Sequence, residues 1–141
     1  GELIAGGSSV GDAELLNLQA GGGHDPVRNG FNVPNVELFV GGTVGWNTQR
    51  EFKSDEIAKQ THQALQNIVT ILAEAGAGPE HVVRMTWYVT DKQEYLDATK
   101  ALGAAYRSVM GYHFPAMTLV QVVALVEDRA KVEIETTAVI P

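Results

Sequence analysis

The sequence contains no cysteine. That absence excludes disulfide cross-links, thiolate nucleophiles, iron–sulfur clusters and zinc sites built on thiolates. Cations are also scarce, with ten Lys and Arg against 17 Asp and Glu, a formal net charge of -7. A nucleic-acid groove needs clustered positive charge to displace counterions, so no nucleic-acid partner is expected. No stretch nears the ~20 consecutive apolar residues of a membrane helix, and no basic-then-apolar leader opens the chain. The expectation is a soluble, cytoplasmic protein with no membrane partner. Dinucleotide-binding glycine turns, phosphate loops and His-Glu-x-x-His helices are missing too.

What is present suits one globular domain over residues 1–141, since 45% of the chain is hydrophobic and only 19% is charged. Residues 1–23 carry seven glycines and read as largely irregular, with a short apolar run at 14–19 as the one strand candidate. A weaker strand is expected at 27–33. Residues 37–44 (Glu37-Leu38-Phe39-Val40-Gly41-Gly42-Thr43-Val44) form an apolar run bounded by Asn35 and Gly45, which predicts a central strand.

Ser54 has the chemistry of a helix N-cap, and Asp55 and Glu56 would sit in the first turn, where the helix dipole favours negative charge. Ile57, Thr61, Ala64, Leu65, Ile68, Leu72 and Ala75 then recur at spacings of three and four, one face of a helix that Gly76, Gly78 and Pro79 end. Val83, Met85, Trp87 and Val89 alternate with polar residues as a strand does. Asp91 and Glu94 have capping-box spacing before a second helix whose stripe is Tyr95, Ala98, Leu102, Tyr106 and Val109, ending near Gly111. Strands at about 116–125 and 130–139 complete an order β-β-β-α-β-α-β-β. Two helices covering one face of a single sheet satisfy these patterns and leave the other face for solvent or a further subunit.

Few residues announce chemistry. The four histidines, His24, His62, His81 and His113, share no helical spacing, so no metal site is assigned. No serine has the strand-to-turn setting of an activated nucleophile. Glu133 stands in the strand Val132-Glu133-Ile134-Glu135, on the face opposite Val132 and Ile134 and shared with Glu135. It is either a solvated outer-face carboxylate or a functional one. Gly41-Gly42 marks a close ligand approach or a bulge, and Trp46 a pocket wall or a core filler.

The run Gln60-Thr61-His62-Gln63-Ala64-Leu65-Gln66-Asn67-Ile68, the strand from His81 to Asp91, Phe114-Pro115-Ala116, and Val132 to Val139 together resemble the Rid (YjgF) family of reactive-intermediate deaminases over residues from about Leu38 to the C-terminus. The resemblance implies an α+β, chorismate-mutase-like subunit, a mixed sheet with two helices on one face, assembled as a homotrimer with small-molecule clefts between subunits. It implies hydrolysis of imines or enamines to keto acids and ammonia without a cofactor, Glu133 directing the water and Thr118 contributing hydrogen bonds. Met117, Leu119, Gly41, Gly42, Thr43, Trp46, Tyr95 and Thr99 are the implied substrate-binding positions. Met117 departs from the pattern, because deaminating members carry there an arginine that holds the substrate carboxylate, and a thioether cannot reproduce that bidentate clamp. Arg28 is a candidate replacement. The expected substrate is therefore bulkier or less anionic than the standard 2-imino acids. The alternatives are a trimeric binding or chaperone-like protein without catalysis and, ranked last for its charge, a ribonuclease or translation inhibitor.

Overall fold

The computed structural model describes residues 35–141 and, for their backbone alone, residues 3–5, 19–20, 27–28 and 31–32. In chain order the strands are β1 (Leu3–Ala5), β2 (Gln19–Ala20), β3 (Val27–Arg28), β4 (Phe31–Asn32), β5 (Val36–Val44), β6 (Val82–Val89), β7 (Ala116–Gln121) and β8 (Val132–Ile140). The helices are α1 (Ile57–Glu74), α2 (Lys92–Asp97) and α3 (Thr99–Met110). The main sheet runs β5-β8-β6-β7, with β8 antiparallel to both neighbours and β6 parallel to β7; β1 and β2 extend it beyond β5. The expected strand at 27–33 is instead a separate small antiparallel pair, β3 with β4. Most of the run at 14–19 lies outside the described residues.

One face of this sheet takes all the helical cover. Leu38, Val40, Met85, Trp87, Val89, Val132, Ile134 and Ala138 from the strands meet Leu65, Ile68, Leu72, Leu102, Tyr106 and Met110 from α1 and α3 in a single core. Each large side chain withdrawn there contributes roughly 1.5–3 kcal/mol. Period two in the strands and period 3.6 in the helices bring these residues together, which is why the apolar pattern located the core.

The element ends depart from expectation for local reasons. The N-cap of α1 is Glu56 rather than Ser54. Ser54 closes the preceding turn by accepting the Glu56 N–H at 3.0 Å, and Asp55 pairs with Arg129 at 2.9 Å instead of serving the dipole. At the other end Gly76 takes φ 77°, and the N–H groups of Gly76 and Ala77 return to the carbonyls of Ala73 and Leu72. That pair of bonds is a Schellman stop, which favours glycine at its left-handed position.

The second helix is interrupted at Ala98, whose N–H bonds back three residues to Tyr95, so α2 and α3 are separate segments. Its apolar stripe keeps its spacing through the break, so periodicity alone reads one helix. Asp91 caps α2 by accepting the Glu94 N–H at 3.0 Å. The reciprocal half of the expected box is absent, because the Glu94 carboxylate holds Lys131 at 2.7 Å. β7 stops at Gln121 rather than 125: Val122 still donates to Val89, but β6 ends at that residue and leaves nothing further to pair with. Among the described residues no helix is long and apolar enough to cross a membrane.

Candidate functional site

Glu133 and Glu135 lie on the sheet face that carries no helix. In the ladder Glu133 stands between Val44 of β5 and Tyr88 of β6, and Glu135 opposite Thr86. The β5–β8 register shifts between Val40 and Thr43, so a bulge, one of the two readings of Gly41-Gly42, is present there. Its consequence is specific to Glu133. A β-carbon on Gly42 would fall 2.6 Å from Glu133 Cδ, so the carboxyl group occupies the space that any other residue's side chain would fill. Thr43 braces the bulge by donating its hydroxyl to the Gly41 carbonyl at 2.9 Å.

This seat changes the carboxyl group. Burial raises the pKa of Glu133 above its ordinary value of 4.5, and the neighbouring Glu135 charge raises it further. The Tyr88 phenol donates to Glu135 Oε1 at 3.0 Å, and this bond, with smaller contributions from burial and the two carboxylates, raises the tyrosine's own pKa. A carboxyl group poised nearer neutrality, flanked by a second carboxylate and a phenol, is equipped to take a proton from water and return it elsewhere. Beside it, Phe39, Gly41, Arg84, Thr86, Glu135 and Thr137 line an open hollow of about 360 Å³ on the same face.

The expected substrate-binding residues do not gather here. Thr118 is exposed on the same face but pairs with Thr86, in the Glu135 row, two strands from Glu133 and on the order of 10 Å away by strand spacing. It cannot share a water with Glu133 in one protomer. Met117 and Leu119 pair with Met85 and Trp87 and so point to the helical side. Leu119 packs against the core, whereas Met117, Tyr95 and Thr99 line a groove of about 200 Å³ with Trp87, Tyr106, Arg107 and Phe114.

Thr43 and Trp46 are buried at the end of β5. Thr43 is 0% exposed with its hydroxyl satisfied, and Trp46 is 7% exposed in a small core of its own with Val44 and Ala130, its ring 5.7 Å from that of Phe52. Each packs at the end of β5. The side chain of Arg28 lies outside the described residues. Two histidines have structural bonds, His81 Nδ1 accepting the Gly78 N–H and His113 Nε2 lying 2.7 Å from the Val82 carbonyl. Among the described residues no group of three or more His, Asp or Glu could hold a metal.

Sequence reasoning missed the groove residues Trp87, Arg107 and Phe114 as a set. A signal existed: Thr99, Gly103 and Arg107 recur every four residues beside the core stripe, and all three line the groove. Tyr88 was also passed over, because a phenol in a strand looks like ordinary alternation until its partner across the ladder is known.

Residues 29–140 match the family model described as Endoribonuclease L-PSP. A RutC family protein of Synechocystis sp. is 32% identical over 120 residues, covering 80% of this chain and 81% of its own. The protein named 2-iminobutanoate/2-iminopropanoate deaminase in Escherichia coli is 28% identical over 117 residues, covering 81% and 87%. The crystal structure of a Yersinia pestis protein of unknown function, from the conserved Rid family, superimposes with a TM-score of 0.64 at 27% identity, covering 81% of this chain and 90% of that one.

Proposed function

Since the chain belongs to the L-PSP family, to which the Rid proteins also belong, we propose that it is a hydrolase of small imines or enamines that needs no cofactor. The observation that carries this reading is Glu133, a carboxyl group lodged where Gly42 leaves room and held above the ordinary carboxylate range. Ionised, it accepts a proton from water as the oxygen adds to the imine carbon. It returns that proton to the nitrogen to give the carbinolamine, then takes the carbinolamine hydroxyl proton and passes it to the nitrogen as the C–N bond breaks, so that the products are a carbonyl compound and ammonia. The deaminase name of the Escherichia coli relative supports the reaction class. The methionine at position 117 argues that the substrate differs from the standard 2-imino acids.

We further propose a homotrimer, for a reason internal to the fold. Glu133 lies on the open face and the apolar groove on the helical face, so the sheet stands between them. If both serve one substrate, they come from two copies of the chain, and cyclic assembly supplies that arrangement at every interface. The test is ammonia release from imines generated in situ by an amino-acid oxidase, with wild type and Glu133→Gln compared. Equal rates for the two would remove Glu133 from the chemistry.

A second reading, binding without turnover, is favoured by the separation of Thr118 from Glu133. Saturable binding with no ammonia released from any imine would establish it.

A further inference from the structure

The groove on the helical face combines two properties that its Met117 alone would not suggest. Its walls are aromatic: Trp87, Tyr106 and Phe114 form a consecutive row, with Trp87 and Tyr106 centroids 6.4 Å apart and Tyr106 and Phe114 stacked at 5.4 Å and 17°. Phe114 and Met117 remain 63% and 43% exposed, so apolar surface at this site is uncovered. Trp87 is 3% exposed, yet its indole Nε1 has no hydrogen-bond partner. Burying such a donor unpaired is unfavourable by roughly 1–3 kcal/mol.

The second property is charge. Arg107 lies one helical turn beyond Gly103, and its Nη1 sits 3.0 Å from where a β-carbon of Gly103 would be. The guanidinium therefore folds back along α3 into the space the glycine leaves, at the groove. Four other cations of the described chain are engaged: Lys53 with Glu51, Lys59 with Glu56, Arg129 with Asp55 and Lys131 with Glu94. Arg107 has no ion pair among the described residues, in a protein of net charge -7.

We propose that this groove binds a small carboxylate with a flat apolar body, the rings taking the body and Arg107 the carboxylate. The role of the missing arginine at position 117 is thus supplied from α3. At about 200 Å³ the groove is smaller than the ~300 Å³ at which drug-sized pockets begin, which suits a single aromatic metabolite. This proposal rests on the reading above in taking the groove as the substrate-binding half of the site, and it deepens that reading: the substrate becomes an anionic imine or enamine with an aromatic side chain.

Calorimetric titration of the full chain with phenylpyruvate, its neutral counterpart phenylacetone, and pyruvate tests it. Wild type should prefer phenylpyruvate to both. Arg107→Gln should weaken phenylpyruvate by about tenfold or more, as expected for a charge-assisted bond, while leaving phenylacetone unchanged. Arg107→Lys should recover part of the loss. Arg107 is exposed, so these variants fold. Equal phenylpyruvate affinity in wild type and Arg107→Gln overturns the proposal, and so does a wild type that binds no phenylpyruvate. Arg107-dependent binding without turnover of the phenylalanine-derived imine would sustain this proposal while refuting the deaminase reading. Turnover with a KM indifferent to Arg107→Gln would do the reverse.

Discussion

Glu133 is held where its charge is disfavoured, and this has consequences for both stability and rate. Its pKa is higher in the folded chain than in the unfolded one, first through burial and then through Glu135. Such a group stabilises the fold below its unfolded pKa, and that contribution is lost as pH rises through the window between the ordinary 4.5 and the higher folded value. Glu133→Gln should therefore melt at a higher temperature than wild type at neutral pH, with the gain shrinking to nothing by about pH 4 in thermal scans. The kcat of wild type should fall on the acid side with an apparent pKa above the ordinary glutamate value. Glu135→Gln removes the like charge and should move that limb to lower pH. Gly42→Ala tests the seat itself. The new methyl group meets only the end of a flexible side chain, so the fold should survive, but displacing the carboxylate by about 1 Å is expected to lower kcat on the order of 100-fold.

At the scale of elements, α1 fixes the position of β8 through buried amides rather than apolar contact alone. Gln60, 1% exposed, donates to the carbonyls of Ser54 and Arg129 and accepts the Lys131 N–H at 2.8 Å, immediately before β8 begins. Asn67 similarly donates to the carbonyls of Val44 and Trp46 at the end of β5. The two residues thus hold the strand that carries Glu133 and one of its two neighbours. Gln60→Ala leaves three backbone groups without their partner and should destabilise the protein by about 2–4 kcal/mol in urea titration, well beyond an exposed substitution on the same helix. Gln60 was legible only as a polar residue on α1; that it faces inward depends on a carbonyl 69 residues away in sequence. The helix ends were partly legible, since Gly76, Asp91 and Gly111 act where their chemistry suggested. Ser54 was misplaced by two residues because a serine that closes a turn and one that caps a helix offer the same hydroxyl to a nearby N–H.

For the molecule as a whole, the division of the site across the sheet makes oligomerisation a functional question. Sedimentation should show three copies per particle. Mixing Glu133→Gln with Arg107→Gln and allowing subunits to exchange gives the sharper measurement, since neither variant alone has an intact cleft. If each cleft joins two protomers, an equal mixture should regain roughly a quarter of wild-type activity at low substrate; if each protomer holds its own site, mixing restores nothing.

The sequence by itself determined the α+β class, the sheet with one helical face, the absence of thiol chemistry and the isolation of Glu133 among apolar neighbours. These follow from composition and from periods of two and 3.6, which are local properties of a chain. Only the tertiary structure decided that Gly42 makes room for Glu133, that Thr43 and Trp46 are buried, and that Met117 faces away from Glu133 and towards Arg107. Those facts depend on ladder register, where a shift of one residue exchanges the faces of a strand, and on contacts between segments far apart in the chain. The scarcity of cations was plain from the start. Which of the few cations stands unpaired beside an aromatic groove was a matter of where α3 lies on the sheet.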